Sequence, residues 1–312
     1  MVIESDAPPP NPVADFEDFF KNFEDIPNQA KYRQKISDAY GKSEHFIKIL
    51  FEDVLNFDPT LANYLKNQPE RALQDAADAF KNILRIDSGG TLNPDDEYFV
   101  RISTLNNSNE VKLRSIRAKH IDKLIYVKGI IIRASAVHPQ ITIASFECPI
   151  CGNLMQEPQL SKKLVMPKEC TNPNCKHNKD FKILTQDSHF IDNQIITIQE
   201  APEELRAGAI PQVLQAILLY DLVDTVRPGE RVKIMGVLKS IPHEDGRGKM
   251  SVIFNTQLNV NNVEGLQQQD DEIDITQQDL EEIRSLSQEP EIQKKIARSI
   301  SRAILEIGRA HV

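Results

Sequence analysis

Tryptophan is absent from these 312 residues, and aromatic residues make up only 6% of the chain. A mechanism built on stacking bases or sugars against indole rings is therefore excluded. No apolar run approaches the ~20 residues that a membrane-spanning helix needs. The segment Met1–Pro12 lacks the basic and apolar stretches of a secretory signal. Together these predict an intracellular protein with no membrane role. No G-x-x-x-x-G-K-[ST] string occurs, so the chain has no cradle for nucleotide phosphates. No Ser-His-Asp set or paired-carboxylate motif stands out either, and a catalytic residue is not expected. Cysteine is scarce: all four fall between positions 148 and 175. A disulfide framework would be spread through a small secreted chain, so such clustering points to a metal.

The formal charge is −9, which alone argues against a polyanionic partner. Its distribution reverses that reading. Residues 1–30 hold seven acids and one lysine, and residues 264–291 hold ten acids and one arginine. The span between them is slightly basic, and Lys112–Arg133 carries seven cations against one acid. A polyanion responds to the local field more than to the total charge.

The length suits two or three domains, and the patterning predicts an α+β multidomain chain. Residues 1–12 are Pro-rich and acidic and are expected to be disordered. A helical bundle is predicted over 13–90. Phe16, Phe19, Phe20 and Phe23 recur at helical spacing, a second helix spans about Gln29–Tyr40, and His45–Phe51 reads as a short strand. Asp58-Pro59 is an N-cap followed by proline at the first helical position, and Pro69 opens another helix.

From Tyr98 the pattern turns to β. Strands are predicted at Tyr98–Leu105, Leu124–Val137, Ile141–Glu147, Gln194–Glu200, Val213–Tyr220, Arg231–Ser240 and Met250–Val260. Short strands at this spacing suggest a small barrel, its first part over 95–145 and its second over 193–262. The cysteine segment, 146–192, interrupts the series as an insertion. An acidic linker (263–276) and helices (277–305) follow.

Cys148-Pro-Ile-Cys151-Gly and Cys170-Thr-Asn-Pro-Asn-Cys175 each present two thiolates from one tight turn. Four soft ligands suit tetrahedral Zn²⁺, and a filled shell leaves no open position for water, so the zinc ribbon would be structural. Two disulfides or a redox pair are the alternatives. His177 and His189 lie nearby as substitute donors, but four cysteines already complete the shell. Arg247 and Lys249 flank Gly248 at the tip of a predicted hairpin, where two cations would meet a phosphate backbone. The barrel resembles an OB-fold, a common platform for single strands.

Helical domain, partial barrel, zinc insertion, remaining barrel, acidic linker and helices follow one another in an order that resembles the N-terminal region of minichromosome maintenance (MCM) replicative DNA helicases of archaeal type. The strings that carry the likeness are Leu113-Arg-Ser-Ile-Arg117, Leu124–Ser135, Ile198-Gln-Glu-Ala-Pro-Glu-Glu204 and above all Asp221–Gly236. The resemblance implies that Cys148, Cys151, Cys170 and Cys175 are zinc ligands. It implies that Arg247 and Lys249 belong to a basic hairpin facing DNA in a ring's channel, and that Arg133 lies near a DNA-contacting position, with Arg114 and Arg117 as weaker candidates whose alternative is a structural role. It implies a hexamer or double hexamer that binds single- or double-stranded DNA without sequence preference, alongside other replication proteins. ATP and Mg²⁺ would bind only in a motor domain that this chain lacks. The compartment would be the cytoplasm, at the nucleoid, in an archaeon, or the nucleus in a eukaryote. A stand-alone OB-fold and zinc-ribbon single-strand binder is the alternative. Two departures stand out: Gln212 where the family carries arginine, and Arg302 where it carries proline. The tail 306–312 reads as a non-native addition.

Overall fold

The computed structural model describes residues 9–26, 29–42, 44–89, 96–104, 110–159, 163–204, 209–244, 250–266 and Ile292. The chain divides into two compact units, Met1–Leu266 and Gln267–Val312. The predicted linker from 267 onward and the predicted C-terminal helices fall outside the described residues, apart from Ile292. No helix among the described residues is long and apolar enough to cross a membrane.

The first unit begins with five helices: α1 (Pro12–Asn22), α2 (Lys31–Lys42), α3 (Phe51–Phe57), α4 (Pro59–Asn67) and α5 (Pro69–Asp87). The prolines at 12, 59 and 69 each open a helix, where a missing N–H costs nothing. Asp58 caps α4 by accepting from the Thr60 N–H at 2.8 Å. Phe16, Phe19 and Phe20 of α1 are fully buried, and Phe19 and Phe20 pack against Tyr32. Short strands β1 (Glu24–Ile26) and β2 (Gln29–Ala30) pair between α1 and α2.

The strand expected to begin the barrel does not join it. β4 (Phe99–Ser103) pairs in parallel with β3 (Phe46–Leu50), which precedes α3. The physical reason is visible on the edge of β4 away from β3. There the Asn261 side chain accepts from the Ile102 N–H at 2.7 Å and donates to the Val100 carbonyl at 2.8 Å. One side chain thus satisfies an edge that a neighbouring strand would otherwise fill.

The barrel is built from β5 (Leu124–Ala134), β8 (Lys182–Gln199), β9 (Val213–Leu219), β10 (Arg231–Glu244) and β11 (Met250–Gly265). They run in the order β5-β10-β11-β9-β8, and β8 pairs again with β5, which closes the ring. Every pairing in that ring is antiparallel except β11–β9. Gly129 and Gly236 sit where strands press together. A Cβ on Gly129 would lie 2.6 Å from the Gln199 carbonyl oxygen, and one on Gly236 would lie 2.5 Å from that of Asn259.

Leu124-Ile-Tyr-Val127 is buried along its whole length because β5 serves two cores. Ile125 and Val127 face the barrel interior, while Leu124 and Tyr126, with Met235 and Val237 of β10, join the core of the helices. A shared apolar seam therefore holds the helical block to the barrel. Lys239 adds ion pairs to Glu70 of α5 and to Asp122, each at 2.8 Å.

Candidate metal centre and nucleic-acid face

β8 is longer than the sequence pattern suggests because it belongs to two bodies. Its second half completes the barrel, and its first half pairs with β6 (His138–Glu147), which in turn pairs with β7 (Leu154–Pro158). The polar run Gln186-Asp187-Ser188 lies in that first half, where little is buried and no apolar alternation is required.

The two cysteine turns are built locally. Gly152 takes φ +67°, open to glycine without a Cβ penalty. That lets its N–H bond the Cys148 carbonyl at 2.9 Å, while the Cys148 N–H reaches the Asn153 carbonyl at 2.9 Å. In the second turn the Cys170 N–H donates to the His177 carbonyl at 2.7 Å. The Asn153 amide donates to the Thr171 hydroxyl at 2.7 Å, which links the two turns.

The result brings four sulfurs within 4.8 Å of one another. Cys148 and Cys175 are 3.7 Å apart, and Cys151 and Cys170 are 3.6 Å apart. Both distances are far too long for a disulfide, whose sulfurs lie ~2.05 Å apart. They match the edge of a tetrahedron with metal–sulfur bonds of ~2.3 Å, which is about 3.8 Å. Burial raises the Cys148 thiol, but the backbone N–H groups of Cys151 and Ile150 and the neighbouring thiols outweigh it and bring it down to about 6. Cys170 and Cys175 are raised in turn, partly by the charge of Cys148, so the cluster without a cation favours one thiolate among its thiols. The donor set and spacing fit a four-thiolate metal ion. His177 packs edge-on against Phe181, and His189 lies 3.2 Å from the Thr142 hydroxyl; neither is in the sulfur cluster.

On the barrel, β10 and β11 remain paired from Val232↔Gly265 out to Glu244↔Met250. Val252 is 93% exposed, and Ile253 and Phe254 are exposed beside it, so this stretch stands clear of the core. Residues 245–249, with Arg247 and Lys249, join the two strand ends and lie outside the described residues. Arg133 sits one residue past a bulge in the β5–β8 pairing, which leaves both Ile132 and Arg133 exposed. Arg133 forms no ion pair among the described residues.

The structure gives Arg114 and Arg117 partners inside the fold. Arg114 clamps Glu200 with its Nε and Nη2, each at 2.8 Å, and Glu200 is only 3% exposed. The same carboxylate accepts from the Arg114 and Gln212 backbone N–H groups. Arg114 hydrogen bonding, helped by these two N–H groups and opposed by burial, holds Glu200 at about 2. Position 212 is thus tied through its backbone, which glutamine supplies as well as arginine does. Arg117 donates from Nη1 to the carbonyls of Arg114 and Ile116, at 2.8 and 2.6 Å.

Sequence reasoning missed the buried Arg101 of β4, which donates to the Asn261 carbonyl at 3.0 Å and pairs with Asp221. Nothing in a linear reading signals a partner 120 positions away.

Residues 13–110 match the MCM N-terminal domain, and residues 112–242 match the MCM OB domain. The chain belongs to the minichromosome maintenance family. It is 31% identical over 295 residues to the minichromosome maintenance protein MCM of Saccharolobus solfataricus, covering 93% of this chain and 42% of that protein. It is 25% identical over 315 residues to DNA replication licensing factor MCM4 of Arabidopsis thaliana, covering 95% and 37%. It is 28% identical over 292 residues to DNA replication licensing factor mcm5-A of Xenopus laevis, covering 88% and 40%. This MCM chain therefore spans about two fifths of the length of the curated relatives it matches. The OB-domain match contains both cysteine turns and most of β10.

Proposed function

We propose that this chain is the DNA-binding, ring-organising part of a replicative helicase. The β10–β11 arm carries Arg247 and Lys249 to a phosphate backbone, and Arg133 on the barrel adds a third cation. The observation that carries the reading is the arm itself: two strands that stay paired beyond the barrel core toward a cationic connection. Arg114 is left out of the DNA face, because its guanidinium group is already paired with Glu200, whereas Arg117, exposed and bonded only to backbone carbonyls, stays a lesser member of it. Contacts of this kind are made to phosphates, so binding is indifferent to sequence and weakens with salt.

In this reading Cys148, Cys151, Cys170 and Cys175 hold one Zn²⁺, which supplies folding free energy to the ribbon and no chemistry. The ribbon organises neighbouring copies into a hexamer or double hexamer. ATP, Mg²⁺ and strand separation belong to a motor domain whose phosphate loop has no counterpart in these residues. The site of action is chromosomal DNA, at the nucleoid of an archaeon or in a eukaryotic nucleus, with other replication proteins.

The test is sedimentation of the zinc-loaded chain with labelled single-stranded oligonucleotides of unrelated sequence. Co-sedimentation in ring-sized complexes, equal across sequences and falling by orders of magnitude between about 50 and 200 mM salt, is expected. Affinity that ignores salt, or that tracks sequence, contradicts the proposal.

A further inference from the structure

The helical block and the barrel leave a cavity of about 280 Å³ between α3, α4 and the start of β5. Phe51 and Met235 give it apolar walls. Lys66 of α4 and Lys123 ahead of β5 line it as exposed cations, and neither has an ion pair among the described residues. Glu110 also lines it, but that carboxylate is matched by Lys128 at 3.0 Å, which leaves the lining net positive.

Two neutral donors complete the set. The Arg117 backbone N–H donates to Nδ1 of His120 at 3.0 Å, which fixes the ring as the tautomer with its proton on Nε2. Burial, and the charges of Lys119, Lys123 and Arg117, lower the His120 pKa; its hydrogen bond with the Arg117 backbone acts the other way. The ring is therefore a neutral N–H donor at pH 7. Tyr126 is 3% exposed; its hydroxyl oxygen lies beside the Lys128 ammonium, and its proton has no acceptor among the described residues. A buried hydroxyl proton left without an acceptor is costly, and this one belongs to a residue that lines a cavity.

We propose that this cavity binds a phosphomonoester. Lys66 and Lys123 neutralise the phosphate, His120 Nε2 and the Tyr126 hydroxyl donate to its oxygens, and Phe51 and Met235 pack against the group that carries it. A monoester brings close to two negative charges and three acceptor oxygens to one point. Two cations and two donors around a space sized for one group match that demand. A phosphodiester strand offers one charge per phosphate and needs a continuous path rather than a single pocket. The phosphate can arrive on a phosphorylated side chain of a partner protein or on a mononucleotide.

The test is calorimetric titration of the zinc-loaded chain with three probes: a phosphoserine hexapeptide, adenosine 5′-monophosphate and inorganic phosphate. Saturable binding of the peptide or the nucleotide is expected, about tenfold tighter than the same molecule without its phosphate. Whichever probe binds identifies the source. The double variant Lys66→Ala/Lys123→Ala should lose about tenfold. Tyr126→Phe should lose a few-fold in affinity while its thermal midpoint stays level or rises, because the buried proton without an acceptor is gone. That pairing of effects separates a ligand contact from a fold contact. No saturable binding, no preference for the phosphorylated form, or binding of inorganic phosphate alone overturns the proposal. So does an oligonucleotide that loses as much affinity in the double variant as the phosphorylated probe does, since the cavity would then serve nucleic acid.

Discussion

The helical block and the cysteine ribbon solve the same problem with different materials. Residues 12–87 bury Phe16, Phe19, Phe20, Tyr32, Leu61, Leu65, Phe80 and Ile83 almost completely. The ribbon's core consists of Ala144, Phe146, Met155 and Phe181 with two of its own cysteines, Cys148 and Cys170. The first region has enough apolar area to fold by burial. The second does not, and places four sulfur donors where the first places aromatic rings. One region should therefore be sensitive to volume and indifferent to chelators, and the other the reverse.

The largest effect should come from removing one ligand. Cys170→Ser, or chelation of the native protein, should unfold the ribbon, since structural zinc sites contribute on the order of 10–16 kcal/mol to small domains. Hydrogen exchange should show lost protection across β6, β7 and the first half of β8, with α1 and α5 unchanged. Loss of protection in the helices too would erase the contrast. Next in size, Phe80→Ala should cost about 3–5 kcal/mol by opening a cavity. It should leave metal affinity untouched, as read by denaturant titration beside a metal-competition assay.

A third change probes the barrel between these two regions. Glu200 is held at about 2 in the folded chain, against an ordinary value of 4.5. A carboxylate with a lowered folded value contributes stability that is complete above about 4.5 and disappears as pH falls toward 2. Glu200→Gln should cost about 3 kcal/mol at neutral pH, because it leaves Arg114 without its charge partner. It should also flatten the acid limb of the stability curve over that window; an unchanged limb would remove the clamp from the account. The smallest effect on stability belongs to Arg133→Ala, within about 0.5 kcal/mol. Its signature is a shallower salt dependence of DNA binding, by about 0.7 in the logarithmic slope.

Legibility followed the range over which each signal acts. The prolines at 59 and 69, the phenylalanine stripe and the two cysteine turns could be read because each is a local device. α3 escaped because seven residues starting at Phe51 carry too little period to separate from the strand before them. β4 was legible as a strand but not as a partner of β3, since its other edge is filled by Asn261, 159 positions along the chain. Arg114 looked like a free cation in a basic run; its partner Glu200 lies 86 positions away. The polar start of β8 gave no alternation because the ribbon buries so little of it. For β4 and Arg114 the missing information was a long-range contact, which composition and periodicity do not encode.

The claim on which the functional account rests is that the β10–β11 arm grips phosphates through Arg247 and Lys249. The direct measurement is the affinity of the zinc-loaded chain for a labelled single strand as a function of salt, for the native protein and for Arg247→Ala/Lys249→Ala. The account predicts weaker binding to every sequence alike and a logarithmic salt slope shallower by about 1.4, with folding unaltered. Equal affinity and an equal slope in the two proteins would contradict it.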